Sequence, residues 1–226
     1  MSCVRWSCCD AGALMTAARV DKVVTSGVFS LDGEDFDVDN NIWLVGDDTE
    51  VVVIDAAHDH EPIVDAVGGR RVVALVCTHG HNDHINVAVP LAEATQAPIL
   101  LHPDDRMLWD VVWPDRPPDR LLADHDVVTV GGHRLDVIHT PGHSPGGCCL
   151  HLAADRTLFS GDTLFRGGPG ATGRSYSDRA TIVASIHDRL LPLDGGTTVH
   201  TGHGDDTTIG DEAAGILDLM ENGNGG

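Results

Sequence analysis

The sequence predicts an α/β chain folded as an αββα sandwich, two mixed β-sheets packed face to face with helices on the outer faces. Three observations predict it. The runs at residues 51–54 and 72–77 are continuously apolar, as suits strands buried on both faces. Helical and strand patterns alternate in the first half, whereas the second half reads as short strands joined by turns. The 226 residues are 42% apolar, with no linker or repeat dividing them, which is enough for one sizeable core. A single domain is therefore expected over residues 15–226, preceded by a disordered tail at 1–14.

The elements follow in order. Residues 41–45 and 50–55 read as strands joined by Gly46-Asp47-Asp48. A short helix at residues 61–67 is stopped by Gly68-Gly69, and strand 72–77 follows. Residues 85–96 are helical in pattern, with Pro90 expected to kink or restart the helix. Strand 98–102 and helix 104–112 precede a proline-rich loop at 114–118. Strands are then expected at 127–130, 134–139, 148–152 and 157–160, the first two joined by Gly131-Gly132. Residues 167–173 form a glycine-rich loop of low intrinsic order. The segment 178–191 is amphipathic, with Ile182, Val183, Ile186 and Leu190 on one face. A last strand at 197–200 and a helix at 212–220 complete the pattern.

Charge excludes some functions. With 35 acidic against 14 basic residues, the net charge is −21, so nucleic acid and anionic membrane are not expected partners and a small-molecule substrate is. Lys22 is the sole lysine, which reads as genome composition. No apolar run is long enough to span a membrane, and Arg5 and Asp10 interrupt the N-terminus, so a cytoplasmic address is expected by default. The six cysteines fit no CxxC spacing and are read as reduced thiols; Cys3, Cys8 and Cys9 lack a fourth ligand nearby for zinc. No feature of the sequence specifies an oligomeric state.

The informative pattern is where histidine and aspartate fall. His79, His81, Asp83 and His84 follow directly on strand 72–77. His143 follows strand 134–139, Asp162 follows strand 157–160, and His203 follows strand 197–200. Four strand ends thus each deliver candidate ligands into a small-residue loop, where one edge of a sandwich would gather them. Imidazole and carboxylate suit Zn²⁺, with Fe and Mn²⁺ also compatible, and seven side chains exceed one tetrahedral ion. Two divalent metal ions are therefore expected, sharing a water whose proton is lost near neutral pH. Asp55, at a strand end, reads as a partner for a ligand histidine or as a helix entry. Ser144 reads as a loop hydrogen-bonder, Cys77 as a buried inert thiol, and His58 and His60 as residues at a helix start.

Here the sequence resembles the metallo-β-lactamase-fold hydrolase superfamily. THGHNDH at residues 78–84 is similar to its HxHxDH signature; PGHSPG around His143, SGDTLF around Asp162 and TGHG around His203 follow in the same order. The resemblance implies the αββα fold, a first metal on His79, His81 and His143, a second on Asp83, His84 and His203, and Asp162 between them. True metallo-β-lactamases typically carry a cysteine ligand where Asp162 stands; HTPGHSPGG and SGDTLF are most similar to the glyoxalase II-like branch. That branch implies hydrolysis of a thioester of a low-molecular-weight thiol, with Asp83 and Asp162 orienting water and taking its proton. Glyoxalase II grips glutathione with basic residues of a C-terminal helical domain, and this sequence has no basic residue after Arg189. Residues 167–176 take the place of a substrate loop, with Arg174 and Tyr176 as candidate substrate contacts. Lactone or small phosphodiester hydrolysis on the same site is an alternative. So is a mononuclear iron persulfide dioxygenase using His79, His143 and Asp162, against which the intact second ligand set argues.

Overall fold

The structure, a computed structural model, describes residues 17–222. The expected sequence of elements is present, with one large addition at the N-terminal side. Strand β1 (Arg19–Leu31) pairs antiparallel with β2 (Glu34–Gly46) over its full length. Only residues 41–45 of this hairpin were legible as strand. The rest of β1 is half-exposed, and the first half of β2, Glu34 to Asp39, is dominated by carboxylates, so neither shows the apolar alternation of a half-buried strand.

Beyond the hairpin come β3 (Glu50–Ile54), α1 (Glu61–Val67), β4 (Arg71–Val76), α2 (Asn82–Ile85), α3 (Ala88–Thr95), β5 (Ile99–Leu101), α4 (Arg106–Val112) and β6 (Arg120–Leu121). The helical stretch expected at 85–96 is two helices. The break falls at Asn86 and Val87, before Pro90, which places the proline in the first turn of α3 where its missing N–H leaves no bond unmade. A 3₁₀ turn, Pro103–Asp105, leads into α4.

The second half holds β7 (Val127–Val130), β8 (His133–His139), β9 (Cys148–Leu152), β10 (Thr157–Gly161), β11 (Leu164–Phe165), β12 (Gly168–Pro169), α5 (Arg179–Ser185), β13 (Thr198–Thr201), β14 (Thr207–Thr208) and α6 (Ile209–Asn222). The loop expected to lack order carries the short β11–β12 hairpin. Asp178 caps α5 by accepting the Thr181 N–H at 2.7 Å, and the helix continues as a π-helical segment over Ile186–Leu190. The tail expected at residues 1–14 lies outside the described residues.

Two six-stranded mixed sheets result, in the orders β1-β2-β3-β4-β5-β6 and β14-β13-β10-β9-β8-β7. Side chains sort by the two-residue period of a strand. In β3, Val52 and Ile54 point inward and join Trp43, Leu135, Val137, Leu150 and Phe159 between the sheets. Val51 and Val53 point outward onto Ile63, Leu91 and Trp109 of the helical layer. On the other side Cys149, Leu158 and Val199 face outward onto Ile182, Ile186, Leu190 and Ile216. This is the αββα sandwich, and continuous apolar runs mark β3 and β4 because both faces of these inner strands are covered.

Candidate metal centre

Strand ends bring the seven residues together. β4 and β8 lead into the loops of His79–His84 and His143, and β10 and β13 run parallel so that Asp162 and His203 emerge side by side. Gly202 N–H donates to Gly161 O at 2.9 Å and fastens those two loops. No larger residue fits at position 202, because a Cβ there would lie 2.2 Å from Asp162 Oδ1 and 2.9 Å from the His84 ring. His81 Nδ1 lies 2.9 Å from His143 Nε2, and His84 Nε2 lies 3.2 Å from His203 Nε2. Asp83 Oδ2 lies 3.4 Å from His203 Nε2. Asp162 reaches across both groups: Oδ2 is 3.6 Å from His143 Nε2 and 3.4 Å from His203 Nε2, and Oδ1 is 3.4 Å from His84 Nε2.

Four of the five imidazoles are oriented from behind. His143 Nδ1 donates to Ala171 O at 2.8 Å and His203 Nδ1 to Asp39 O at 2.7 Å. His84 Nδ1 donates to Asp55 Oδ2 at 2.9 Å. Asp55 also accepts the Thr78 hydroxyl at 2.9 Å, and that oxygen lies 3.1 Å from His79 Nδ1. The expectation that Asp55 partners a ligand histidine therefore holds, and the residue serves two. Fixing Nδ1–H in this way turns Nε2 of these four rings toward the centre. His81 alone presents Nδ1.

Electrostatics divide the centre in two. Burial, followed by the neighbouring imidazoles, lowers His79 well below the ordinary range and lowers His81 to about 3. Burial would lower His84 and His203 as well, but Asp162 and the other carboxylates outweigh it, raising His84 well above the usual value and His203 to about 10. In Asp83 and Asp162 burial is outweighed in turn by these histidines, and both carboxyls titrate low.

The residues fit two divalent cations. His79 Nε2 and Asp162 Oδ1 are buried and make no hydrogen bond. Three interlocking groups, His79/His81/His143, His79/His84/Asp162 and Asp83/His84/His203, each bring their donor atoms within 4.8 Å of one another. Buried nitrogens and carboxylate oxygens left facing each other need a cation to avoid the cost of unpaired burial. A fourth group, His102, Asp104 and His139, also falls within that distance, but its two rings stack 4.1 Å apart at 13°, so their in-plane lone pairs run side by side and do not converge.

Above the centre a cavity of about 40 Å³ is lined by Phe29, Leu31, His81, His143, Ala171, Arg174, Ser175 and Ser177. Arg174 is thus placed where a substrate contact was expected, although its guanidinium also pairs with Glu34 at 2.8 Å. Tyr176 is 56% exposed and is not among the lining residues.

The sequence profile of the metallo-beta-lactamase superfamily matches residues 36–208. The chain belongs to that superfamily. The hydroxyacylglutathione hydrolase GloC of Haemophilus influenzae is 29% identical over 189 residues, covering 76% of this chain and 89% of GloC. Among solved structures, the B3 metallo-beta-lactamase BLEG-1 superposes with a TM-score of 0.72 at 30% identity, covering 84% of this chain and 97% of that one. The protein TTHA1623, solved in a di-iron-bound form, gives a TM-score of 0.69 at 34% identity, covering 78% and 93%.

This metallo-beta-lactamase superfamily member also contains residues at its centre that sequence reasoning missed. Asn40 is fully buried; its Nδ2 donates to Asp83 Oδ2 at 3.1 Å, and its Oδ1 faces His58 Nε2 at 2.8 Å. Asn82, inside the metal-binding motif, accepts Ser30 N–H and donates to Val28 O, both at 2.8 Å, and so pins the β1–β2 hairpin beside the cavity. Phe29 then meets the His81 ring edge-on at 5.3 Å. No local signal marks these residues, because their partners lie 18 to 54 positions away. Among the described residues no helix is long and apolar enough to cross a membrane.

Proposed function

We propose that this chain is a dinuclear metal-dependent hydrolase that cleaves a thioester of a low-molecular-weight thiol, in the manner of glyoxalase II. The observation that carries this reading is Asp162, whose carboxylate lies within 3.4 to 3.6 Å of histidines from both groups. His79, His81 and His143 would hold one ion, Asp83, His84 and His203 the other, and Asp162 both. Two divalent ions, when bound there, supply a nucleophile generated from water near neutral pH and polarise an acyl oxygen.

The chain's own residues do the rest. Asp83 and Asp162 titrate low and are ionised at neutral pH, so each can orient water by accepting its hydrogen bond. Asn40 holds Asp83 in that orientation. Phe29, Leu31 and Ala171 give the cavity an apolar wall that excludes bulk water from a small acyl group. A thiol leaves without much protonation, its pKa being about 8.5, so a thioester needs less general-acid help than an amide. The relationship to GloC supports this class.

Metal content of protein purified without added metal, with thiol release from a panel of small thioesters, tests the proposal. About two ions per chain, and thiol release abolished in Asp162→Ala, are expected. One iron per chain, oxygen uptake on a persulfide and no thiol release would overturn it in favour of dioxygenase chemistry. Two ions with no thiol release would overturn the thioester assignment and move the search to lactones and small phosphodiesters.

A further inference from the structure

Asp105 makes no hydrogen bond to any of the seven residues of the centre, yet it ties together the loops that carry them. It ends the 3₁₀ turn before α4 and is fully buried. Its Oδ2 accepts the Gly80 N–H at 2.8 Å and the Ser144 hydroxyl at 2.7 Å. Its Oδ1 accepts the Gly146 N–H at 2.6 Å. Gly80 stands between His79 and His81, and Ser144 follows His143. One carboxylate therefore joins a loop of the first sheet to a loop of the second, directly behind the 2.9 Å approach of His81 to His143. The loops press closely on it, since a Cβ on Gly146 would lie 2.7 Å from Asp105 N and 2.8 Å from its carboxyl carbon.

Three donors converge on Asp105, and all three belong to the His79/His81/His143 side. The residues behind the other group are different ones: Asp55 behind His84, Asn40 behind Asp83, and Asp39 O behind His203. We infer that Asp105 is a positioning residue that sets the separation of His79 and His81 from His143, and so governs metal affinity at that group and not at Asp83/His84/His203. The inference rests on the ligand assignment proposed above. A carboxamide cannot replace the carboxylate, because either orientation of the amide turns its NH₂ against a backbone N–H, of Gly80 or of Gly146.

The test is zinc competition against a chromophoric chelator on metal-free protein, in two reference backgrounds. His203→Ala leaves the three-histidine group as the intact one, and His143→Ala leaves the other. Asp105→Asn should weaken zinc binding about 10- to 100-fold in the His203→Ala background and change it less than about twofold in the His143→Ala background. Equal losses in both backgrounds would mark a general structural role and overturn the inference, as would no loss in either. Ser144→Ala removes one of the three bonds without touching the buried charge. It should give a smaller loss confined to the same group, and it carries the test by the same criterion if Asp105→Asn does not fold. If His143→Ala and His203→Ala do not each remove one zinc, the ligand assignment has failed, an outcome separate from failure of the Asp105 inference.

Discussion

Zinc affinity should depend steeply on pH at one half of the centre and little at the other. In the metal-free fold Asp162 and its neighbours raise His203 to about 10, and His84 beside Asp162, Asp83 and Asp55 is raised as well. At neutral pH the His203 ring then carries a proton on the nitrogen that would face the ion, 3.2 Å from His84 Nε2. An entering ion must displace it, and each displaced proton makes the apparent affinity rise about tenfold per pH unit. One displaced proton gives about a tenfold rise per unit for the Asp83/His84/His203 group near neutrality. His79 and His81 are lowered, His81 to about 3, so above neutrality these two have no proton to lose and contribute no slope. Zinc competition at about pH 6.5, 7.5 and 8.5 on His143→Ala and His203→Ala separates the halves. Parallel slopes in the two variants, or a flat one in His143→Ala, would refute the reasoning. The same shifts act on folding without metal. His203 titrates higher in the fold than its unfolded value of about 6.5, so its stabilisation is complete below that pH and is lost as pH rises toward about 10. His81 titrates lower, so acidification from about 6.5 toward about 3 protonates the unfolded chain preferentially and destabilises the fold. From these two groups, melts of metal-free protein should be highest near pH 6.5, at about the shared unfolded value.

Other expectations follow from single contacts. Asp55→Asn keeps an acceptor for the Thr78 N–H, at 2.7 Å from Oδ1, but turns an NH₂ toward His84 Nδ1; zinc affinity should fall about 10- to 100-fold, and an unchanged competition curve would remove Asp55 from the metal centre. Asn82→Ala removes both bonds that pin the hairpin, each of about 1 kcal/mol, and should raise KM by roughly three- to tenfold with zinc stoichiometry unchanged. A fall in bound zinc would instead assign Asn82 to the metal loop. With a net charge of −21 the folded chain repels itself, so raising KCl from about 0.1 to 1 M, which shortens screening from about 10 to 3 Å, should raise the melting temperature; a fall would contradict self-repulsion.

Much of this centre was legible because its residues combine two local signals, a ligand side chain and a place just beyond a buried strand. His143 and His203 illustrate this: each is a single histidine in a small-residue loop, and each reaches the centre. Asp105 was not legible, since it is one aspartate among many and its partners are 25 to 41 positions away. The β1–β2 hairpin escaped for a related reason. Val24 and Val28 are exposed and the first half of β2 is acidic, so pairing of the two strands, rather than burial of an apolar face, defines them. Asp55 lay between, its position informative and its partner not.

The two groups of histidines also bear on how the chain is held closed. His81 and His143 are 62 positions apart and His84 and His203 are 119 apart, each pair spanning the two sheets. An ion shared across such a pair would close a long loop of the unfolded chain, and by chain entropy a permanent link of that span is worth about 4 to 5 kcal/mol. Cys77, Cys148 and Cys149 are buried free thiols and make no such link. The centre would then act as a removable clasp, and a chelator would do to this fold what a reductant does to a disulfide-bonded one.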